Sequence, residues 1–229
     1  MRPLFAVLRV IAAAAITAAI VGQLLYSLDY RSGLGAKDVG AFLINFFSFF
    51  TIESNVLSVV ALLIGAVLLV ATKGVEGRWY TILRLVTTTY MTVTFIVYNL
   101  LLRNVELPQG TTLEWSNEIL HVVGPLCVIL DWLFAPGRGR LDWKHIWVVV
   151  IFPVVWAAYT LIRGPLVVEE LSGVNWYPYP FLNPDTSPNG YLSVSFYVIL
   201  IAAVVLGVGA AVVWVSRRRT NWPLRAPQA

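Results

Sequence analysis

Thr51, Ser54, Asn55, Asn99, Arg103, Asn117, Glu118 and His121 all fall within stretches of otherwise apolar sequence. A polar or ionisable group kept in such a stretch is expensive, and an ionisable one is a functional candidate by default. His121 is therefore the residue from which chemistry is read first, because a neutral imidazole can take up a proton near pH 7. Its companions supply hydroxyls, amides, a carboxylate and a guanidinium, a set suited to acid–base chemistry or to binding a polar group in an apolar medium. Their spacing groups them. Thr51, Asn55 and Ser58 recur at i, i+4, i+7 and share one helix face, as do Asn117, His121 and Gly124. Pro125 removes a backbone donor just after His121.

Only membrane-spanning helices can position such groups in this chain. Of its 229 residues, 59% are hydrophobic and 12% charged, whereas soluble domains are about a quarter charged. Apolar runs cover 4–28, 41–71, 80–102, 117–134, 145–162 and 191–216. Each must be helical, because lipid offers the backbone no partners. The expected fold is an all-α integral membrane protein, a single six-transmembrane-helix bundle over 1–216 with a basic cytoplasmic tail, 217–229. The first run, flanked by Arg2 and Arg9, exceeds a signal-peptide core and lacks a convincing cleavage site, so it reads as a retained span. The second is longer than one perpendicular crossing and is expected to tilt or to begin with an interfacial piece, 41–50.

The 16 Lys and Arg residues split twelve to four between the two sides when the spans alternate. Cytoplasmic loops carry the excess, so the N and C termini are both expected in the cytoplasm. The net charge of +4 thus reads as topology, and no nucleic acid is expected as a partner. The single cysteine, Cys127, excludes an internal disulfide and a cysteine-rich metal site, and two histidines are too few for a cluster. No metal, cofactor or protein partner is expected; the expected partners are membrane lipids.

Span direction sets depth. Thr51 and His121 each lie roughly 6–10 Å below the outer start of their helices at 1.5 Å per residue, and Asn99 and Arg103 lie at the outer end of the antiparallel third span. These groups can therefore share one level, in a pocket capped by the longest loop, 164–190. That loop carries Trp176, Tyr177, Pro178, Tyr179, Pro180, Phe181 and Pro184. Plainer readings stand beside this one. The threonines of span three (Thr87, Thr88, Thr89, Thr92, Thr94) are expected to glue helices together. Glu53 and Arg103 can form an interfacial ion pair, Asp131 can simply pair with Arg138 or Arg140 near the cytoplasmic end, and tryptophans and tyrosines commonly anchor at headgroup level.

Three stretches carry a family resemblance. Phe49-Phe50-Thr51-Ile52-Glu53-Ser54-Asn55, the His-centred Asn117-Glu118-Ile119-Leu120-His121-Val122-Val123-Gly124-Pro125, and Trp176-Tyr177-Pro178-Tyr179-Pro180-Phe181-Leu182 together resemble bacterial six-span relatives of the eukaryotic androgen-induced FAR-type membrane proteins. The Glu53-Ser54-Asn55 triplet follows the bacterial branch and departs from the eukaryotic pattern. The eukaryotic members are intramembrane threonine hydrolases of fatty acid esters of hydroxy fatty acids. The resemblance therefore implies a lipid ester hydrolase of the bacterial plasma membrane, with Thr51 as nucleophile and His121 as general base. Ser54, Asn55, Asn99, Arg103, Asn117, Glu118, Trp176 and Tyr179 are the expected substrate contacts. Among them Asn55, Asn99 or Arg103 could stabilise an oxyanion, and Asn117 or Glu118 could orient His121. The competing expectation is a non-enzymatic membrane protein that binds or transports a lipid or solute. The apolar deeper halves of spans two and four favour a one-sided pocket over a pore.

Overall fold

A computed structural model describes residues 1–103, 105 and 112–218. Six of its helices are long and apolar enough to cross a membrane: α1 (Arg2–Gly33), α3 (Phe50–Ala71), α4 (Arg78–Leu102), α5 (Glu114–Phe134), α6 (Trp143–Leu166) and α7 (Tyr191–Arg218). A short helix, α2 (Val39–Phe47), precedes α3. The chain is thus an all-α, multi-pass membrane bundle. The helices run a few residues beyond the expected spans at most ends. The basic tail expected at 217–229 lies outside the described residues from 219 onward, while Arg217 and Arg218 close α7.

The long second run is two helices, and the break between them matters most for the site. Asp38 caps α2 by accepting from the Ala41 N–H at 2.8 Å. The chain then turns at Ser48 and Phe49, and Phe49 is extended (φ −72°, ψ 127°). The carbonyl freed at Ser48 accepts from the Trp156 indole N–H at 3.0 Å, so the break needs no water. It also makes Thr51 part of the first turn of α3, where backbone N–H groups have no intrahelical partner.

α1 packs along α3, and both helices bury small residues, Ala6, Ala13 and Ala19 of α1 and Ala61, Gly65 and Ala66 of α3. Gly65 is required there, because a Cβ would collide with the Tyr80 hydroxyl and the Arg9 guanidinium. Ile16, Leu62, Met91, Leu120 and Val128 complete the core of this half. Leu85, Trp132, Val149, Val205 and Val213 form the core between α4, α5, α6 and α7.

Distant from Thr51, a neutral cluster of two arginines and two acids is buried between α1, α4, α5 and the α3–α4 loop. Asp131 accepts from Arg9 Nε at 2.7 Å and from Arg84 Nη2 at 2.8 Å, and Glu76 accepts from Arg84 Nη1 at 2.8 Å. Asp131 is thus a structural ion-pair partner as expected, but of Arg9 and Arg84 where Arg138 or Arg140 was expected. Arg9 and Arg84 hold helices together as well as carrying charge. The threonines of α4 meet the expectation of interhelical glue in part. Thr89 and Thr92 donate to carbonyls of their own helix, those of Leu85 and Thr88, while Thr94 bridges to Ser54 of α3 at 3.2 Å.

Candidate active site

Thr51, His121 and Tyr179 meet at the break between α2 and α3. Thr51 Oγ1 lies 3.3 Å from His121 Nε2 and 3.2 Å from the Tyr179 hydroxyl. That hydroxyl also accepts from the Thr51 backbone N–H at 3.2 Å, one of the free donors of the first turn of α3. The opposite ring nitrogen, His121 Nδ1, lies 2.9 Å from the Asn117 carbonyl oxygen. A carbonyl can only accept, so Nδ1 carries the proton and the Nε2 lone pair faces the Thr51 hydroxyl. The hydrogen atoms then run in one direction: Tyr179 O–H to Thr51 Oγ1, Thr51 O–H to His121 Nε2, and His121 Nδ1–H to the Asn117 carbonyl.

Local backbone geometry builds this arrangement. The helix widens to a π-type turn at Ile119–Val123, with His121 at its centre, and again at Tyr98–Leu102 on the facing helix α4. Gly124 N–H reaches back to the Ile119 carbonyl, just before Pro125, which has no N–H to give. Such wide turns recur at functional sites because they project side chains that a regular helix would tuck away. Here the two turns stack the Tyr98 ring on the His121 imidazole, with centroids 4.2 Å apart and planes at 24°. The Tyr98 hydroxyl accepts from the Asn117 amide at 2.6 Å. His121 is thereby fixed in both tilt and tautomer.

The residues expected to contact substrate separate into two groups. Arg103, Asn117, Trp176 and Tyr179 line a chamber of about 420 Å³ with Thr51 and His121. Ser54, Asn55, Asn99 and Glu118 support its walls. Ser54 donates to the Thr51 carbonyl at 3.0 Å. The Asn55 amide donates to the carbonyls of Thr51 and Leu120, at 2.8 and 3.0 Å, tying α3 to α5. Asn99 donates to the Phe95 carbonyl and accepts from Arg103 Nη1. The Asn55 amide thus spends both its hydrogens on backbone carbonyls, which corrects its expected role as an oxyanion donor. Arg103 pairs with Glu118 at 2.7 Å, in place of the expected pair with Glu53. Of the two residues expected to orient His121, Asn117 does so, through its backbone carbonyl, while Glu118 pairs with Arg103.

Sequence reasoning missed Tyr98 as the platform for His121, because a tyrosine near a helix end reads as an interfacial anchor. It also missed Gln23, Ser27, Arg31, Phe42, Asn45 and Glu169, which line the chamber's far side. Gln23 and Ser27, polar residues at i, i+4 in an apolar run, were the available signal, and they bond each other at 2.9 Å.

The loop between α6 and α7 caps the chamber. Trp176 and Tyr179 pack edge-on against Phe49, with centroids 5.8 and 5.7 Å apart, and Tyr177 is buried against Gly164, where a Cβ would strike its ring. Burial pushes the Tyr179 phenol up to about 12, so it remains a hydroxyl donor at any physiological pH. Glu169 latches the loop to α1 by accepting from Arg31 Nη1 at 2.6 Å. Burial alone would raise the Glu169 carboxyl, but the hydrogen bonds and charge of Arg31 and the N–H groups of Ser172 and Leu171 outweigh it and hold it below the usual 4.5. A depressed pKa stabilises the closed loop above the ordinary glutamate range and ceases to do so as pH falls through the depressed value. Acid titration is therefore expected to raise protease cleavage within 167–175 in the wild type. Glu169→Gln should already be cleaved at neutral pH, with little further change in acid.

No protein-family model, no curated protein and no solved structure matches the chain.

Proposed function

We propose that this chain is a membrane-embedded hydrolase of lipid esters, with Thr51 as nucleophile and His121 as general base. The observation that carries the reading is the unprotonated His121 Nε2 held 3.3 Å from Thr51 Oγ1 on the wall of a chamber large enough for part of a lipid. A threonine hydroxyl is a weak nucleophile until a positioned base takes its proton, and the fixed tautomer supplies that base. As Thr51 Oγ1 bonds to the ester carbonyl carbon, its proton passes to His121 Nε2 and the carbonyl π electrons move onto oxygen. The Thr51 N–H and the Tyr179 O–H, which meet beside the nucleophile, are the donors suited to that oxyanion. Collapse breaks the carbon–oxygen bond to the alcohol, which leaves with the proton from His121 Nε2. Water, activated by the same nitrogen, then adds to the acyl-Thr51 ester, releasing the acid and restoring the threonine hydroxyl.

The resemblance of the Thr51, His121 and Trp176 motifs to intramembrane threonine hydrolases points the same way, and esters of hydroxy fatty acids are the substrate class it suggests. In this reading the termini lie in the cytoplasm and the site in the outer leaflet of a bacterial plasma membrane; the twelve-to-four split of Lys and Arg supports the orientation. Below the site the helices are filled by Ile16, Leu62, Met91 and Val128, then by the neutralised Arg9–Asp131–Arg84–Glu76 cluster, which supports a one-sided site over a transport path. Purified protein in detergent micelles is expected to hydrolyse long-chain esters; no hydrolysis above a Thr51→Ala control would overturn the proposal. Tyr179→Phe keeps the ring and removes the donor. It should lower kcat by roughly 10- to 100-fold with KM little changed, read by steady-state kinetics; a change in KM alone would assign Tyr179 to binding only.

A further inference from the structure

A second cavity, of about 100 Å³, meets the large chamber at the reacting residues: Thr51, Tyr98, Leu102, His121 and Tyr179 line both. The two cavities differ in chemistry. The chamber carries Gln23, Ser27, Asn45 and Asn117. The smaller cavity runs between α4, α6 and α7 and is walled by side chains such as Val93, Val97, Ala157, Val198, Ile201 and Ala202. Its few polar groups away from Thr51 and His121 are already engaged: the Thr94 hydroxyl bonds Ser54 at 3.2 Å, and the Tyr98 hydroxyl accepts from Asn117 at 2.6 Å. A water inside it would find few partners, so the pocket favours hydrocarbon. Val154 of α6, another of its lining residues, is 57% exposed on the bundle flank. The pocket therefore lies beside the surface that a lipid chain would cover.

The order of the reaction decides which part of an ester goes where. After the first half-reaction the acyl group stays on Thr51, while the alcohol must leave and water must arrive. The polar-lined chamber offers a route for both, and the dry pocket can hold what remains attached. From this we infer that the α4–α6–α7 pocket is an acyl-chain site: the ester straddles Thr51 with the first carbons of its acyl chain in this pocket, the rest of the chain running out along the flank at Val154, and its alcohol portion in the chamber. The inference rests on the hydrolase reading above and adds a specificity to it, namely selection of the acyl side by length of hydrocarbon, set by the small residues Ala157 and Ala202.

The test varies the acyl chain with the leaving group fixed, using p-nitrophenyl palmitate and p-nitrophenyl acetate in detergent. Ala202→Trp and Ala157→Trp fill the pocket from opposite helices, so one remains informative if the other fails to fold. Each is expected to lower palmitate hydrolysis by ~10-fold or more while leaving acetate hydrolysis within ~2-fold of wild type, because only the long chain draws on the pocket's binding energy. Equal effects on both esters, or none on either, would overturn the inference. A binding measurement separates its failure from that of the hydrolase reading. Diazirine-bearing palmitate photo-crosslinked to the Thr51→Ala protein should label 150–157 and 198–205, and Ala202→Trp should suppress that labelling. Labelling there without Thr51-dependent hydrolysis would remove the enzymatic reading and keep the chain site; labelling elsewhere would remove the chain site.

Discussion

Thr51→Ala is expected to abolish ester hydrolysis, lowering kcat by ~10³-fold or more, as loss of a covalent nucleophile does in other hydrolases, while the fold is retained. The second half of that expectation follows from the contacts. Among the described side chains, the Thr51 hydroxyl hydrogen-bonds to His121 and Tyr179 alone. The bonds that lock this turn of α3 instead use the Thr51 carbonyl, which accepts from Ser54 and Asn55, and these survive the substitution. Apparent Tm in detergent should therefore move little. His121→Ala should lose activity to a similar extent, and the double variant should be scarcely worse than either single one, because nucleophile and base act as a unit. Thr51→Ser keeps a hydroxyl at the same place and should retain measurable turnover. A Thr51→Ala protein with full activity would contradict the assignment outright.

The largest loss of stability is expected elsewhere, from Asp131→Ala. Asp131 is the carboxylate shared by Arg9 and Arg84, whose side chains are 1% and 4% exposed. Removing it leaves two guanidinium groups facing Glu76 alone in an apolar bundle. Breaking a buried pair from one side costs about 3–5 kcal/mol, because the abandoned charge cannot regain water. The expected reading is a fall in apparent Tm on the order of 10 °C, with kcat per folded molecule unchanged, since the cluster does not touch the chamber. Combining Asp131→Ala with Arg84→Met removes one acid and one base and should recover part of the loss, a non-additivity that identifies the coupling. If Asp131→Ala were as stable as wild type, the cluster would not be what joins α1, α4 and α5.

The contrast between these two regions shows what the sequence could reveal. Runs of apolar residues separated by short basic loops make a six-helix membrane bundle legible, because lipid leaves the backbone no alternative. The common level of Thr51 and His121 was legible for the same reason: depth follows from helix rise once direction is known. Partner choice was not. Asp131 lies on the same short stretch as Arg138, and nothing in a linear sequence says that Arg9, 122 positions earlier, packs against it across the bundle. Nor does spacing show that the carbonyl of Asn117, a group every residue carries, orients His121 in place of a distinctive side chain. Tyr179 was legible as part of an aromatic loop, but its reach to the Thr51 N–H depends on how far that loop folds into the bundle. The break at Ser48 and Phe49, which opens the first turn of α3 to Tyr179, was legible in the excess length of the 41–71 run, but not its support, which is Trp156 from a distant helix.

The proposed hydrolysis turns on the acylation of Thr51 after His121 removes its proton. The most direct measurement exposes the purified protein to a fluorophosphonate carrying a long alkyl chain and locates the adduct by peptide mass spectrometry. A single adduct on Thr51 is expected, strongly slowed in His121→Ala and absent in Thr51→Ala. An adduct on another residue, or Thr51-independent hydrolysis with no adduct at all, would contradict it.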